Sequence, residues 1–292
     1  MNQPKDKTSS LLLLLGSMAI FGAIGLVRRL IPLPSSVIAM ARGLIGGAAI
    51  LLVLLARGKR VSLRALGGEG LWLALAGVLL GFNWILLFEA YRYTTVAIAT
   101  LCYYMAPILV VLVSPLLFHE RITAKKAVCV LLALVGMLLV SGVLRADGGG
   151  GDARGVLFGL GAALFYAGIV LTNKKVTRTD GLTRTVIQLL TAGVVLVPYV
   201  LLTEDLSALT LTPYTVGMLL VAGLVFTALT YTMYFSAIPG LRAQTAALGS
   251  YIDPVVAVLI SALVLHEPMT ALDWLGAALV LGATAVSTLE RD

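Results

Sequence analysis

Three ionisable residues stand inside long apolar runs of this chain: Arg42, Glu89 and Asp253. A charge at the centre of a bilayer-spanning helix costs about 2.5–3.5 kcal/mol on insertion scales, so it persists where it binds or pairs. Asp253 lies about 16 Å into its run, close to the middle of a bilayer. Arg42 lies about 12 Å, and Glu89 about 6 Å, below the outer ends of their own runs. Both belong to the outer half, and their long side chains are within reach of one another. That spacing fits either a structural ion pair or two arms of a binding site. Asp253 fits a partner for a substrate cation, a site for a coupling proton, or a protonated hydrogen-bond donor to a neighbouring helix.

Polar and aromatic groups accompany them at similar depth: Asn83, Trp84, Tyr103, Tyr104, Tyr251, Gln188 and Gln244. Two carboxylates, one arginine and several tyrosines suit a zwitterion such as an amino acid, or an organic cation held against tyrosine faces. Tyr251 and Asp253 are two residues apart, about 200° around a helix, so a straight helix cannot aim both into one cavity. Other chemistry is poorly served. The pairs His119-Glu120 and His266-Glu267 lack the second histidine four residues on that a zinc protease needs; threonine stands there instead. Those pairs read as helix ends, with Thr123 and Thr270 capping the next helix and Asp273 completing a capping box. The glycine-rich GGGGDARG lacks the Gly-Lys-Ser/Thr ending of a phosphate loop. No catalytic residue, metal site or cofactor is expected.

The elements that must hold these residues follow from composition. The 292 residues are 60% hydrophobic and only 12% charged, against about 25% charged in a soluble domain. Ten runs are long enough to span a bilayer: 10–30, 35–56, 71–92, 95–118, 126–143, 155–172, 184–203, 214–236, 242–265 and 272–289. They leave no room for a soluble domain. Lys and Arg divide 15 to 5 between the two sides when the N-terminus is placed inside, with Arg42 in the membrane. That bias puts both termini in the cytoplasm. The net charge of +7 is therefore membrane topology, and no nucleic-acid partner is expected. Cys102 and Cys129 sit within spans as small core residues. Gly43/Gly47, Gly77/Gly81 and Gly155/Gly159 read as close-packing faces.

The chain also repeats itself. YYMAPILVVLVSPLLFHE at 103–120 returns as SYIDPVVAVLISALVLHE at 250–267. With Pro107 set on Pro254, 11 of the 25 positions from 99 to 123 match. LGSMAIFGA at 15–23 echoes LGAALFYAG at 160–168. Each half then holds five spans, an odd number, so the second enters the membrane inverted. Inverted repeats are a mark of secondary transporters whose site lies between the halves near the midplane. Asp253 has no acidic counterpart, because Ala106 holds the equivalent place. Pro107 and Pro254 are expected to bend their helices.

NWILLFEAYRYTTVAIATLCYYMAPILVVLVSPLLFHERIT in the first half and SAIPGLRAQTAALGSYIDPVVAVLISALVLHEPMT in the second resemble the EamA domain of the drug/metabolite transporter superfamily. The resemblance covers essentially the whole chain. It implies an all-α integral membrane protein with ten transmembrane helices in two inverted five-helix repeats, 1–147 and 155–292, joined by a linker at 148–154. It further implies export or import of small metabolites, with amino acid exporters among the relatives. The expected function is secondary transport of an amino acid, another zwitterion or an organic cation across the cytoplasmic membrane. The expected partners are that solute, the lipid bilayer and a coupling proton, with the protein a monomer or a homodimer. A membrane-embedded enzyme and a structural or sensory membrane protein are the alternatives; the duplication weighs against a scaffold, and no hydrolase motif supports an enzyme.

Overall fold

The computed structural model describes residues 7–59, 66–118, 123–140, 153–241, 245–246 and 249–289. Every regular element among them is helical. In chain order they are α1 (Lys7–Leu30), α2 (Ser35–Ala56), α3 (Glu69–Tyr93), α4 (Val96–Tyr103, continued by Ala106–Phe118) and α5 (Ala124–Val140). The second series is α6 (Ala153–Asn173), α7 (Gly181–Thr203), α8 (Pro213–Gly240), α9 (Ile252–Val264) and α10 (Ala271–Leu289). Among the described residues seven helices are long and apolar enough to cross a membrane, and three stretches in α5, α9 and α10 are apolar but shorter. The ninth run is interrupted: Thr245, Ala246 and Gly249 are helical, and a turn at Ser250–Tyr251 separates them from α9. His119, Glu120, Gln244 and residues 148–152 of the expected linker lie outside the described residues.

Local sequence sets the helix starts. Thr95 accepts from the Ile98 amide at 3.1 Å, Asp180 from the Thr183 amide at 3.3 Å and Thr212 from the Thr215 amide at 3.2 Å. Each satisfies an amide that the first turn leaves without a helical partner. Thr270 and Asp273 form the expected capping box: the Thr270 amide donates to the Asp273 carboxylate at 2.7 Å, and the Asp273 amide to Thr270 Oγ1 at 3.3 Å.

The ten helices pair as a twofold requires. α3 packs on α6 as α8 packs on α1; α4 packs on α6 as α9 packs on α1; α3 packs on α7 as α8 packs on α2. The pairs α2–α7, α4–α9 and α5–α10 map onto themselves. Glycine contacts show the same relation at atomic scale. A Cβ on Gly47 would stand 2.8 Å from Leu190 Cδ2, and one on Gly193 would stand 2.7 Å from Leu44 Cδ2. A Cβ on Gly77 would meet Thr191, and one on Gly223 would meet Ile45. In lipid the backbone polar groups are already satisfied within each helix, so association relies on such close packing of small residues.

Equivalent helices run in opposite directions. α3 begins at one end of the bundle, where Glu69 accepts from the Thr177 and Arg178 amides at 2.7 and 2.8 Å in the α6–α7 connection. α8 finishes at that same end, where a Cβ on Gly181 would overlap Phe235. This end also carries Lys7 and is called the near end. The repeats are therefore inverted. Exposed leucines such as Leu71, Leu131, Leu157 and Leu202 stud the outside of the bundle and form the surface that meets lipid.

Candidate functional site

The two repeated segments meet at the centre, and both are broken there. α4 stops at Tyr103, turns through Tyr104 and Met105, and resumes at Ala106; α9 starts at Ile252 after the turn at Ser250–Tyr251. Pro107 and Pro254 fall in the first turn of the helical piece that follows each break. At that position the missing N–H costs no helical bond. The breaks also remove the geometric conflict between Tyr251 and Asp253. Tyr251 is the residue before the helix and Asp253 lies in its first turn. Both line one cavity.

That cavity holds about 490 Å³, and eight of the twenty described residues that line it are aromatic. Tyr103, Tyr104 and Tyr251 contribute from the breaks; Phe21 and Tyr166 from α1 and α6; Tyr231, Tyr234 and Phe235 from α8. The rings touch in two series. Tyr251–Tyr104, Tyr104–Tyr103 and Tyr103–Tyr166 have centroids 6.4, 5.9 and 5.2 Å apart. Phe21–Tyr231 and Tyr231–Phe235 are 5.0 and 6.3 Å apart. Asp253 is the one carboxylate among the described lining residues, and Tyr104 lines the same space. Polar groups gather toward the near end, where Gln188 Nε2 donates to Asn173 Oδ1 at 2.7 Å. Arg184 donates there to the Val176 carbonyl at 2.9 Å.

The repeat relation is visible in the lining itself. Tyr104 and Tyr251 are equivalent, as are Tyr103 and Ser250, Ala106 and Asp253, and Phe21 and Tyr166, and all eight face the cavity.

Arg42 is buried just behind this lining and does not meet Glu89. Its Nε donates to Thr227 Oγ1 at 2.7 Å, one terminal nitrogen donates to the Phe226 carbonyl at 3.2 Å, and its guanidinium lies 4.2 Å from the Trp84 ring centre. Thr227 is placed by wide π-helical turns over Val221–Leu229, where its hydroxyl also donates to the Ala222 carbonyl. Glu89 instead pairs with Arg92, one turn on, at 3.0 Å. The expected Arg42–Glu89 pair is thus corrected: the two occupy different helix faces, a phase that depth alone does not reveal. Trp84 serves as the platform for Arg42. Asn83 is wholly buried and ties α3 to α6 through the Ala162 carbonyl at 2.6 Å; it does not line the cavity. Of the expected residues, Asp253, Tyr103, Tyr104, Tyr251 and Gln188 come together there.

Away from the near end, helices are tied together around one carboxylate. Glu267 accepts from Arg29 at 2.6 Å and from the Val96 amide at 2.8 Å, and Ser261 donates to the same carboxylate at 2.5 Å. Arg29 also donates to the Thr94 carbonyl at 2.9 Å. One carboxylate thereby ties α1, α4 and α9 together. The sequence marks Glu267 as a helix end, and it stands three residues past α9. His266 takes a left-handed backbone conformation, φ 50°, beside it.

The EamA-like transporter family matches residues 8–142 and again 153–289. The chain is similar to the Bacillus subtilis (strain 168) protein named uncharacterized transporter YxxF, 25% identical over 99% of this chain and 92% of that one. It is also similar to uncharacterized transporter YwfM of the same organism, 29% identical over 93% and 91%. A solved crystal structure shares the fold, with a TM-score of 0.66 and 22% identity over 97% of this chain and 98% of that one. The family model matches twice and spans nearly the whole sequence, and the protein is a multi-pass membrane protein that belongs to the EamA-like transporter family of the drug/metabolite transporter superfamily.

Proposed function

We propose that this protein is a secondary transporter that carries a small organic metabolite across the cytoplasmic membrane by alternating access, with the Asp253 cavity as its site. One observation supports this reading above the others: a lone carboxylate sits in an aromatic cavity where the inverted repeats meet. The cavity runs from the central breaks toward the near end, past Asn173 and Arg184, while the Glu267 cluster ties the far end. The near end carries Lys7, Arg57, Lys59, Lys174, Lys175 and Arg178, which by the distribution of basic residues faces the cytoplasm. On that reading both termini are cytoplasmic and the described conformation faces inward. An equivalent arrangement of the halves opens the same site outward, because the twofold exchanges the two ends. The roles of Tyr104, Tyr251, Tyr103 and Gln188 are to shape and line that site, and Asp253 takes the substrate cation or a coupling proton.

Reconstituted protein in liposomes tests this. Preloaded unlabelled solute is expected to drive counterflow of the labelled solute, recovered chemically unchanged. A chemically altered product would replace the transport reading with an enzymatic one. Absence of flux across amines, amino acids and carboxylates would end it.

A further inference from the structure

We infer that Arg42 and Arg28, buried in the described conformation, line the solute path when the site opens toward the far end. They hold there the places that Gln188 and Asn173 hold in the path toward the near end. This rests on the alternating-access reading and adds residues that the described cavity does not contain. The register that sets Gly47 on Gly193 and Leu44 on Leu190 also sets Arg42 on Gln188 and Ala39 on Thr185. The register that sets Phe21 on Tyr166 sets Arg28 on Asn173. Gln188, Thr185 and Asn173 all line the present cavity. Inverted repeats that exchange arrangements when the site changes sides put their counterparts on the other path. Arg42 already stands beside that route. Leu80 and Tyr231 line the cavity, and Arg42 meets Trp84 and Thr227, each one turn farther from the near end on the same two helices.

The inference accounts for two buried charges that the described conformation leaves with neutral partners. Arg42 is 4% exposed and Arg28 6%. Arg42 donates to the Thr227 hydroxyl and the Phe226 carbonyl and lies on Trp84. Arg28 donates to the Ile31 carbonyl and the Ser35 hydroxyl, both at 3.1 Å, and its Nε is buried with no partner among the described residues. Neither guanidinium is in an ion pair among the described residues. A buried guanidinium with neutral partners alone is costly within a membrane, and contact with a water-filled path lowers that cost. Opening toward the far end supplies such contact to both. The links agree with the repeat: Arg28 ties α1 to the start of α2, as Asn173 ties α6 to α7 through Gln188. The two paths differ in where charge stands. Glu89, the counterpart of Phe235, lies at the far rim paired with Arg92, and the near path carries its own arginine, Arg184, where the far path has Ile38.

Single cysteines in the full-length protein, in a background without Cys102 and Cys129, test this by reaction with a membrane-impermeant maleimide. Intact cells present the far side to the reagent, and inside-out vesicles present the near side. Arg42→Cys, Arg28→Cys and Ala39→Cys are expected to react from the far side, and Thr185→Cys from the near side. Val37→Cys is the control. It is buried, lies nearer the far end than Ala39 and corresponds to Thr183, which is not among the described lining residues. It is expected to stay unreacted. Ala39→Cys makes a small change and decides the matter if the arginine variants do not fold. No far-side reaction at Ala39→Cys or at a folded arginine variant, or equal reaction at Val37→Cys, would overturn the inference whatever Thr185→Cys shows. Counterflow of solute without far-side reaction at Ala39→Cys would sink this inference alone. Far-side reaction without counterflow of any solute would sink the transport reading alone.

Discussion

The two halves of the molecule share a scaffold and differ at the site. Gly47 against Leu190 and Gly193 against Leu44 are nearly the same contact made twice. Around the cavity the correspondence fails in three places. Asp253 faces Ala106 across the pseudo-twofold, Arg42 corresponds to Gln188, and Thr227 falls where the first half has Gly81. The differences are linked. Arg42 is held because Thr227 offers a hydroxyl on a π-helical stretch. Gln188 has only a glycine at the matching place and turns instead to Asn173. Scaffold residues must repeat, since both halves pack by the same rules. A single carboxylate need not, since one charge on the axis serves both orientations of the bundle.

The comparison breaks most visibly if the carboxylate is moved. Exchanging the equivalent residues, Ala106→Asp with Asp253→Ala, keeps one acid at the centre but on the other repeat. Transport is expected to fall at least about a hundredfold, because the α8 rings and the Tyr251 break no longer flank the charge. Proteoliposome uptake at matched protein levels checks this. Uptake near the wild-type rate would make the halves interchangeable.

Arg42→Gln, which gives the first half the residue of the second, is expected to cost about 3 kcal/mol of stability. Two charge-assisted hydrogen bonds and a stacked cation are lost together. A double-mutant cycle with Thr227→Val should show coupling of about 1 kcal/mol or more, and one with Glu89→Gln should be additive to about 0.5 kcal/mol. Coupling to Glu89 would restore the ion pair that the geometry denies.

The scaffold side of the comparison is tested by Gly47→Ala and Gly193→Ala. Each places a methyl group under 3 Å from a leucine on the partner helix, and each is expected to cost about 1–3 kcal/mol. The two costs should agree. Thermal unfolding in one detergent measures both, and a clear inequality would mean that the halves do not pack alike.

The smallest effect is expected at the far end. Glu267→Gln removes a half-exposed ion pair with Arg29, worth about 1 kcal/mol or less, yet keeps an acceptor for the Val96 amide. Stability should barely change while far-end access to the cavity rises. Labelling of a cysteine placed at Ser250, in a background without Cys102 and Cys129, reports that access. Unaltered labelling from the far side would remove Glu267 from the closure.

Much of this architecture is legible in the sequence, and the limits have physical causes. The duplication shows through Tyr104/Tyr251, the two prolines and the His-Glu pairs, because helix breaks and ends need particular residue types. Asp253 stands out because an acid in lipid is costly. Helix phase is less legible. Arg42 and Glu89 both fall in the outer half but point to different neighbours, and Asn83 and Trp84 turn out to hold α6 and Arg42 rather than a solute. The α8 rings were open to detection: TYTMYF places Tyr231, Tyr234 and Phe235 three and four residues apart, on one helix face. Tyr166 is the repeat equivalent of Phe21, so a symmetric reading of LGSMAIFGA and LGAALFYAG finds it as well. The π-helical turns that seat Thr227 leave no comparable mark.

The most direct measurement compares wild-type protein with Asp253→Asn and Asp253→Glu for uptake of a labelled solute that the wild type carries into proteoliposomes, across an imposed pH gradient and without one. The expected result is uptake by the wild type that responds to the gradient, partial uptake by Asp253→Glu, and none by Asp253→Asn despite normal folding. Undiminished uptake by Asp253→Asn, with the same response to pH, would contradict the central role of that carboxylate.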